Sequence, residues 1–200
     1  METVTGYILV GGKSRRMGSD KWRLTLDGRR FVERIADEIE TVASSVSLVG
    51  DNVGKNATAV ELSQPIVPDI YPEWGALGGV HSALSACPTE WALVVACDFP
   101  LVSGALFSRL AGFREGFEAV VPIQKDQIPP PLCALYRTVP CLERAGEMIN
   151  SGERKPIALL QSVRTRWVSF SETADLDRSD HFFDNINTPE DYARITQDQS

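Results

Sequence analysis

The chain has few of the residues from which common scaffolds and metal sites are built. Four cysteines in 200 residues (Cys87, Cys97, Cys133, Cys141), none spaced as CxxC, exclude a disulfide framework and read as reduced, mostly buried thiols. Two histidines, His81 and His181, leave no zinc site of ordinary spacing, and both read as structural or solvated. No apolar run approaches the roughly 18 residues of a membrane span. The start, METVTGYILVGG, lacks a positive stretch ahead of an apolar core. The expectation is a soluble, cytoplasmic protein with no membrane partner. Basic residues are also in deficit: the net charge of -7 argues against a nucleic-acid partner, because coating a polyanion takes a basic surface.

The basic residues that are present cluster. Lys13, Arg15, Arg16, Lys21, Arg23, Arg29 and Arg30 stand against two acids, so residues 13 to 30 carry +5 and the remainder -12. Hydrophobic residues make up 43% of the chain and are spread throughout. One domain, residues 1–200, is expected, burying roughly 70% of its unfolded surface.

Apolar runs without polar alternation predict strands covered on both faces, as in a parallel sheet: TGYILV (5–10) and WALVVAC (91–97) lead them. Further strands are predicted at 45–50, 118–122, 132–136 and 166–170. Between them, FVERIADEIETVA (31–43) places Phe31, Ile35, Ile39 and Val42 on one helical face, and ALGGVHSALSA (76–86) is a second helix. Ser103 caps a helix over 103–113, another spans 139–150, and Thr188-Pro189 opens one over 188–195. Alternating strands and helices imply a three-layer α/β/α sandwich.

In such sheets ligands bind beyond the carboxyl ends of strands. The segment LVGGKSRRMGSDK (9–21) is a loop of that kind after the first strand. Its glycines let backbone N–H groups approach an anion, and its lysines and arginines balance charge, which points to phosphate. It is not a P-loop, since Gly6 lies one residue too far from Gly12-Lys13-Ser14, and GxGxxG is absent. In VVACDFPLVS, Asp98 ends a buried strand that Pro100 stops, on the same edge as the glycine loop, where one carboxylate could hold Mg2+. PDIYPEWGALGGVHSAL puts Asp69 before a glycine-rich helix start; either Gly75, Gly78 and Gly79 allow close packing, or the stretch walls a nucleotide site.

These strings together resemble the molybdenum cofactor guanylyltransferases, the MobA family of nucleotidyltransferases. LVGGKSRRMGSDK is similar to that family's opening signature, PDIYPEWGALGG to its D...GPLAG segment, VACDFP to its CDxP segment, PPLCALYR to its PLxALY strand, and FFDNINTPEDY to its near-terminal motif. The resemblance spans residues 6 to 195. It implies a Rossmann-like nucleotide-diphospho-sugar transferase fold with a mostly parallel central sheet. It also implies a Mg2+-dependent transferase acting in molybdenum cofactor biosynthesis, joining GMP from GTP to the terminal phosphate of Mo-molybdopterin with release of pyrophosphate.

By the same resemblance, Leu9, Val10 and Gly11 hold the nucleotide through their backbone and Gly12 shapes the turn. Lys21 binds phosphate, Asp69 contacts the nucleotide, Asp98 binds Mg2+ and nucleotide, Arg16 meets the leaving pyrophosphate, and Asn185 and Asn187 help hold the pterin. Transient contacts with other cofactor-biosynthesis proteins and with molybdoenzymes are expected. Val10 stands where the family usually has alanine, a gain in volume expected beside the nucleotide. GALGG replaces GPLAG, and Pro130 stands ahead of PLCALY where relatives often have glutamine or histidine. The alternatives are a cytidylyltransferase for the same cofactor, a sugar-phosphate nucleotidylyltransferase, or a noncatalytic nucleotide-binding adaptor.

Overall fold

The structure is a computed structural model that describes residues 3–10, 24–50, 63–184 and 191. Nine strands are described: β1 (Val4–Leu9), β2 (Thr25–Leu26), β3 (Arg29–Arg30), β4 (Val46–Val49), β5 (Ile66–Val67), β6 (Trp91–Ala96), β7 (Ala119–Pro122), β8 (Cys133–Arg137) and β9 (Thr165–Val168). The described α-helices longer than one turn are α1 (Phe31–Glu40), α2 (Gly75–Ala86), α3 (Gly104–Ala111), α4 (Thr138–Asn150) and α5 (Pro156–Ser162). Seven strands form one sheet in the order β5-β4-β1-β6-β8-β7-β9, while β2 and β3 form a separate two-stranded hairpin.

β1 lies inside the sheet between β4 and β6, and all six of its residues are buried. Side chains alternate across a strand, and the two faces of β1 enter different cores. Val4 and Ile8 pack with Val32, Ile35 and Ile39 of α1 and with Leu106 and Phe107 of α3. Tyr7 and Leu9 pack with Leu77 and Val80 of α2 and with Ala145 and Met148 of α4. The three-layer sandwich is the consequence.

The sheet is mostly parallel. β1 pairs in parallel with β4 and β6, and β4 with β5. β8 runs antiparallel to β6 and to β7. Residues 123–132, between β7 and β8, are too few for the crossover of about a dozen residues that a parallel pair needs. The outer pair, β7 and β9, is parallel again.

α1 is entered through Arg30, whose N–H donates to Glu33 Oε2 at 3.0 Å. α3 begins at the predicted cap: Ser103 Oγ accepts the N–H of Leu106 at 3.3 Å. The N–H of Gly104 donates to Glu38 Oε2 at 2.7 Å, which ties α3 to α1. The helix expected over 188–195 lies outside the described residues except Asp191. No helix among the described residues is long and apolar enough to cross a membrane.

Candidate nucleotide site at the carboxyl edge of the sheet

Four parallel strands, β5, β4, β1 and β6, end along one edge, and the described residues at that edge form the candidate site. Leu9 stands opposite Val49 on one side and Ala96 on the other. Beyond the ladder, the N–H of Val10 donates to the carbonyl of Val49 at 3.0 Å, and the N–H of Cys97 donates to the carbonyl of Leu9 at 3.1 Å. Thus the end of β1 lies beside Cys97, one residue before Asp98, which follows the neighbouring strand β6. The backbone of Val10 can serve a ligand only through its carbonyl, since its N–H is committed to Val49.

The side chain of Val10 does not line this edge. It is 8% exposed and belongs to the core shared by α1 and α3, with Cys97 and Phe99. The extra volume expected beside the nucleotide therefore enters the core, because Val10 continues the alternation that sends Val4 and Ile8 to that face. Leu9 points the other way, against Gly79 of α2.

Asp98 follows β6 in a turn closed by Phe99 N–H on the carbonyl of Ala96 at 3.3 Å. The residue is half-buried and its Oδ1 is shielded from solvent. Among the described residues no three His, Cys, Asp or Glu side chains gather as metal ligands. A single carboxylate at a strand end nevertheless suits Mg2+, which takes one or two protein carboxylates and completes its shell with phosphate and water.

Asp69 sits two residues after β5, half-buried. Its Oδ1 accepts the N–H of Tyr71 at 3.0 Å and the hydroxyl of Ser82 at 2.9 Å. The chain then makes a short helical turn (Pro72–Trp74) and enters α2 through Gly75, whose φ of 59° favours glycine. A Cβ on Gly78 would collide with the carbonyl of Tyr71, so the close-packing alternative holds at Gly78, where the Asp69 turn lies against α2. His81 lies edge-on to Tyr71, with centroids 5.0 Å apart; burial lowers its pKa, and the charge of Asp69 partly offsets that.

Two rim contacts had no sequence signature beyond their residue types. The Arg154 guanidinium lies 4.6 Å from the ring centroid of Trp74 and its Nη1 donates to the carbonyl of Glu73 at 2.5 Å, joining the turn before α5 to the turn before α2. On the other side of β6, the hydroxyl of Tyr136 donates to the carbonyl of Pro131 at 2.6 Å, and Pro130 is buried behind it. Ser82 was also missed, although a serine on the apolar stripe of a helix is a visible irregularity.

Leu9, Val10, Asp69 and Asp98 are thus brought to one edge. Gly11, Gly12, Arg16, Lys21, Asn185 and Asn187 lie outside the described residues. A cavity of about 360 Å3 between the β2–β3 hairpin, α1 and the 177–182 segment contains none of the four. Its charges are largely spoken for: Arg29 pairs with Asp37 at 2.5 Å, Arg34 with Asp27 at 3.3 Å, and Glu38 caps α3. Charge chemistry therefore favours the strand edge over this cavity.

Comparison with known proteins shows the family. Residues 6–165 match the MobA-like NTP transferase domain. A molybdenum cofactor guanylyltransferase of Desulfosudis oleivorans is 32% identical over 197 residues, covering 96% of this chain and 93% of the relative. One from Yersinia pestis is 32% identical over 192 residues, covering 94% and 92%. The crystal structure of molybdopterin-guanine dinucleotide biosynthesis protein A from Archaeoglobus fulgidus superposes with a TM-score of 0.82 at 24% identity, covering 98% of each chain, which shows the fold. The edge geometry, the matched domain and the full-length relatives converge: this chain is a nucleotidyltransferase of the MobA-like NTP transferase family.

Proposed function

We propose that this enzyme transfers GMP from GTP to the terminal phosphate of Mo-molybdopterin, giving the guanine dinucleotide cofactor and pyrophosphate. The observation that carries the reading is the register of β1 and β6, which brings the end of β1, where the glycine-rich sequence begins, beside the residue before Asp98. In the reaction a phosphate oxygen of the pterin forms a bond to the α-phosphorus of GTP as the bond to the bridging oxygen of pyrophosphate breaks. The nucleophile is already anionic, so the site needs no strong base; it must hold two repelling anions in line.

In this reading Gly11 and Gly12 offer backbone N–H groups to the phosphates, Lys21 and Arg16 neutralise charge growing on pyrophosphate, and Asp69 orients the nucleoside. Asn185 and Asn187 hold the pterin. Asp98 would hold Mg2+, which when bound supplies charge neutralisation on the phosphate oxygens. The free thiols among the cysteines suit a reducing cytoplasm, where the product passes by transient contacts to molybdoenzymes.

Pyrophosphate release measured with molybdopterin and either GTP or CTP tests the reading. Turnover with GTP, abolished by chelation and lost together with affinity for GTP in Lys21→Ala, is expected. Preference for CTP, or no metal-dependent release, refutes it.

A further inference from the structure

Asp69 follows a strand of only two residues at the outer edge of the sheet, so the ladder does little to fix its side chain. The fixing comes from the middle of α2. Ser82 is completely buried. Its Oγ accepts the N–H of Ile70 at 2.9 Å, and its single hydrogen faces two acceptors, Asp69 Oδ1 at 2.9 Å and the carbonyl of Gly78 at 2.8 Å. The last contact is the ordinary bond of a helical serine to the carbonyl four residues back. The first two are not local: they reach twelve and thirteen residues back in the chain. One hydroxyl thereby joins the start of the 69–75 turn to the helix that ends it, while Gly78 lets the turn lie close enough for the bonds to form.

We propose that Ser82 is the positioning residue for Asp69, holding its carboxylate at the strand edge for the nucleotide. This rests on the reading of Asp69 as a nucleotide contact. Removing the hydroxyl leaves the N–H of Ile70 without its Ser82 acceptor and Asp69 Oδ1 with one donor fewer, which loosens the tie between the turn and α2.

Three measurements on the intact protein decide it. In Ser82→Ala the KM for GTP rises about 10- to 150-fold, the scale of a lost hydrogen bond to a charged group, with kcat less affected. Amide exchange at Ile70 and Tyr71 quickens by about 10-fold or more. In an Asp69→Ala background the same serine change alters KM by less than about twofold, because the two side chains act as one unit. Ser82→Cys, which keeps a weak donor of similar shape, recovers part of the loss and carries the test if the alanine protein does not fold.

Equal KM increments in both backgrounds, or unchanged exchange at Ile70 and Tyr71, overturn the proposal. If Asp69→Ala alone leaves KM and kcat unaltered, the nucleotide reading of Asp69 fails instead, and the exchange measurement still decides whether Ser82 holds the turn.

Discussion

The amide of Cys97 donates to the carbonyl of Leu9 across 3.1 Å, and this bond between two strand tips sets where Asp98 begins. Because β1 and β6 run parallel and in register over six residues, neither tip can slide without unpairing the ladder behind it. The backbone that carries Asp98 is thus held beside the end of β1 before any ligand arrives. Asp98→Asn preserves shape and removes charge, and should lower turnover by about 10²-fold or more, the loss typical of one preorganised electrostatic contact. Steady-state pyrophosphate release at saturating Mg2+ measures it; near-normal activity would remove Asp98 from the chemistry.

Gly78 makes a different demand. A Cβ there meets the Tyr71 carbonyl and the Cβ atoms of Tyr71 and Trp74, none of them the far end of a flexible side chain. Gly78→Ala should cost about 1–3 kcal/mol of stability, as overpacking commonly does. It should also raise the KM for GTP by pushing the Asp69 turn outward. Urea melts and steady-state kinetics on one preparation report both effects, and a stable variant with normal KM would show that the close approach is dispensable.

His81 gives a pH dependence with a definite sign. Its folded-state pKa lies below the ordinary value of 6.5, chiefly through burial, so the unfolded chain binds the proton more readily. That contribution is fully present above about pH 6.5 and is lost as pH falls through the lower, folded value. Glu153, Glu172 and Asp175 are also lowered, by hydrogen bonds from backbone N–H groups of Lys155 and Arg154, from Ser169, and from Arg109 respectively, but they act in the carboxylate range further down. Melting temperatures between pH 7.5 and 5 should decline for the wild type and decline less for His81→Gln. Parallel curves would assign the acid sensitivity elsewhere.

Much of the architecture was legible because both faces of the central strands are covered: a strand such as WALVVA has no polar face to alternate with, and its run announces itself. β5 and α5 were invisible for the opposite reason, since Ile66–Val67 and Pro156–Ser162 are too short to show a period. The reversed direction of β8 is written in loop length rather than in composition. At the site, Asp98 could be placed by where its strand stops, whereas Val10 was aimed at the nucleotide by motif and turned inward by alternation. Ser82 escaped notice because its function depends on residues far back in the chain. The roles of Lys21, Arg16, Asn185 and Asn187 rest on the motif alone.

The thiols allow a check of the whole packing arrangement without any substrate. Cys133 is fully buried, with its pKa raised by desolvation, and Cys141 is pushed up to about 12 by burial and the nearby Glu118 charge. Cys97 is buried at the tip of β6. Only Cys87 is half-buried, beside Thr89 and Thr138 below the start of β6. Thiolates are the reactive form, so raised pKa and burial both suppress labelling. At pH 8 a disulfide-exchange reagent should therefore modify at most one thiol per native chain quickly and all four in guanidinium. Because β6 carries six residues from Trp91 to Ala96, about 20 Å separate Cys87 from the Asp98 edge. Protein blocked at Cys87 should keep its turnover, and two or more fast native equivalents would mean that the layers do not close over Cys97, Cys133 and Cys141.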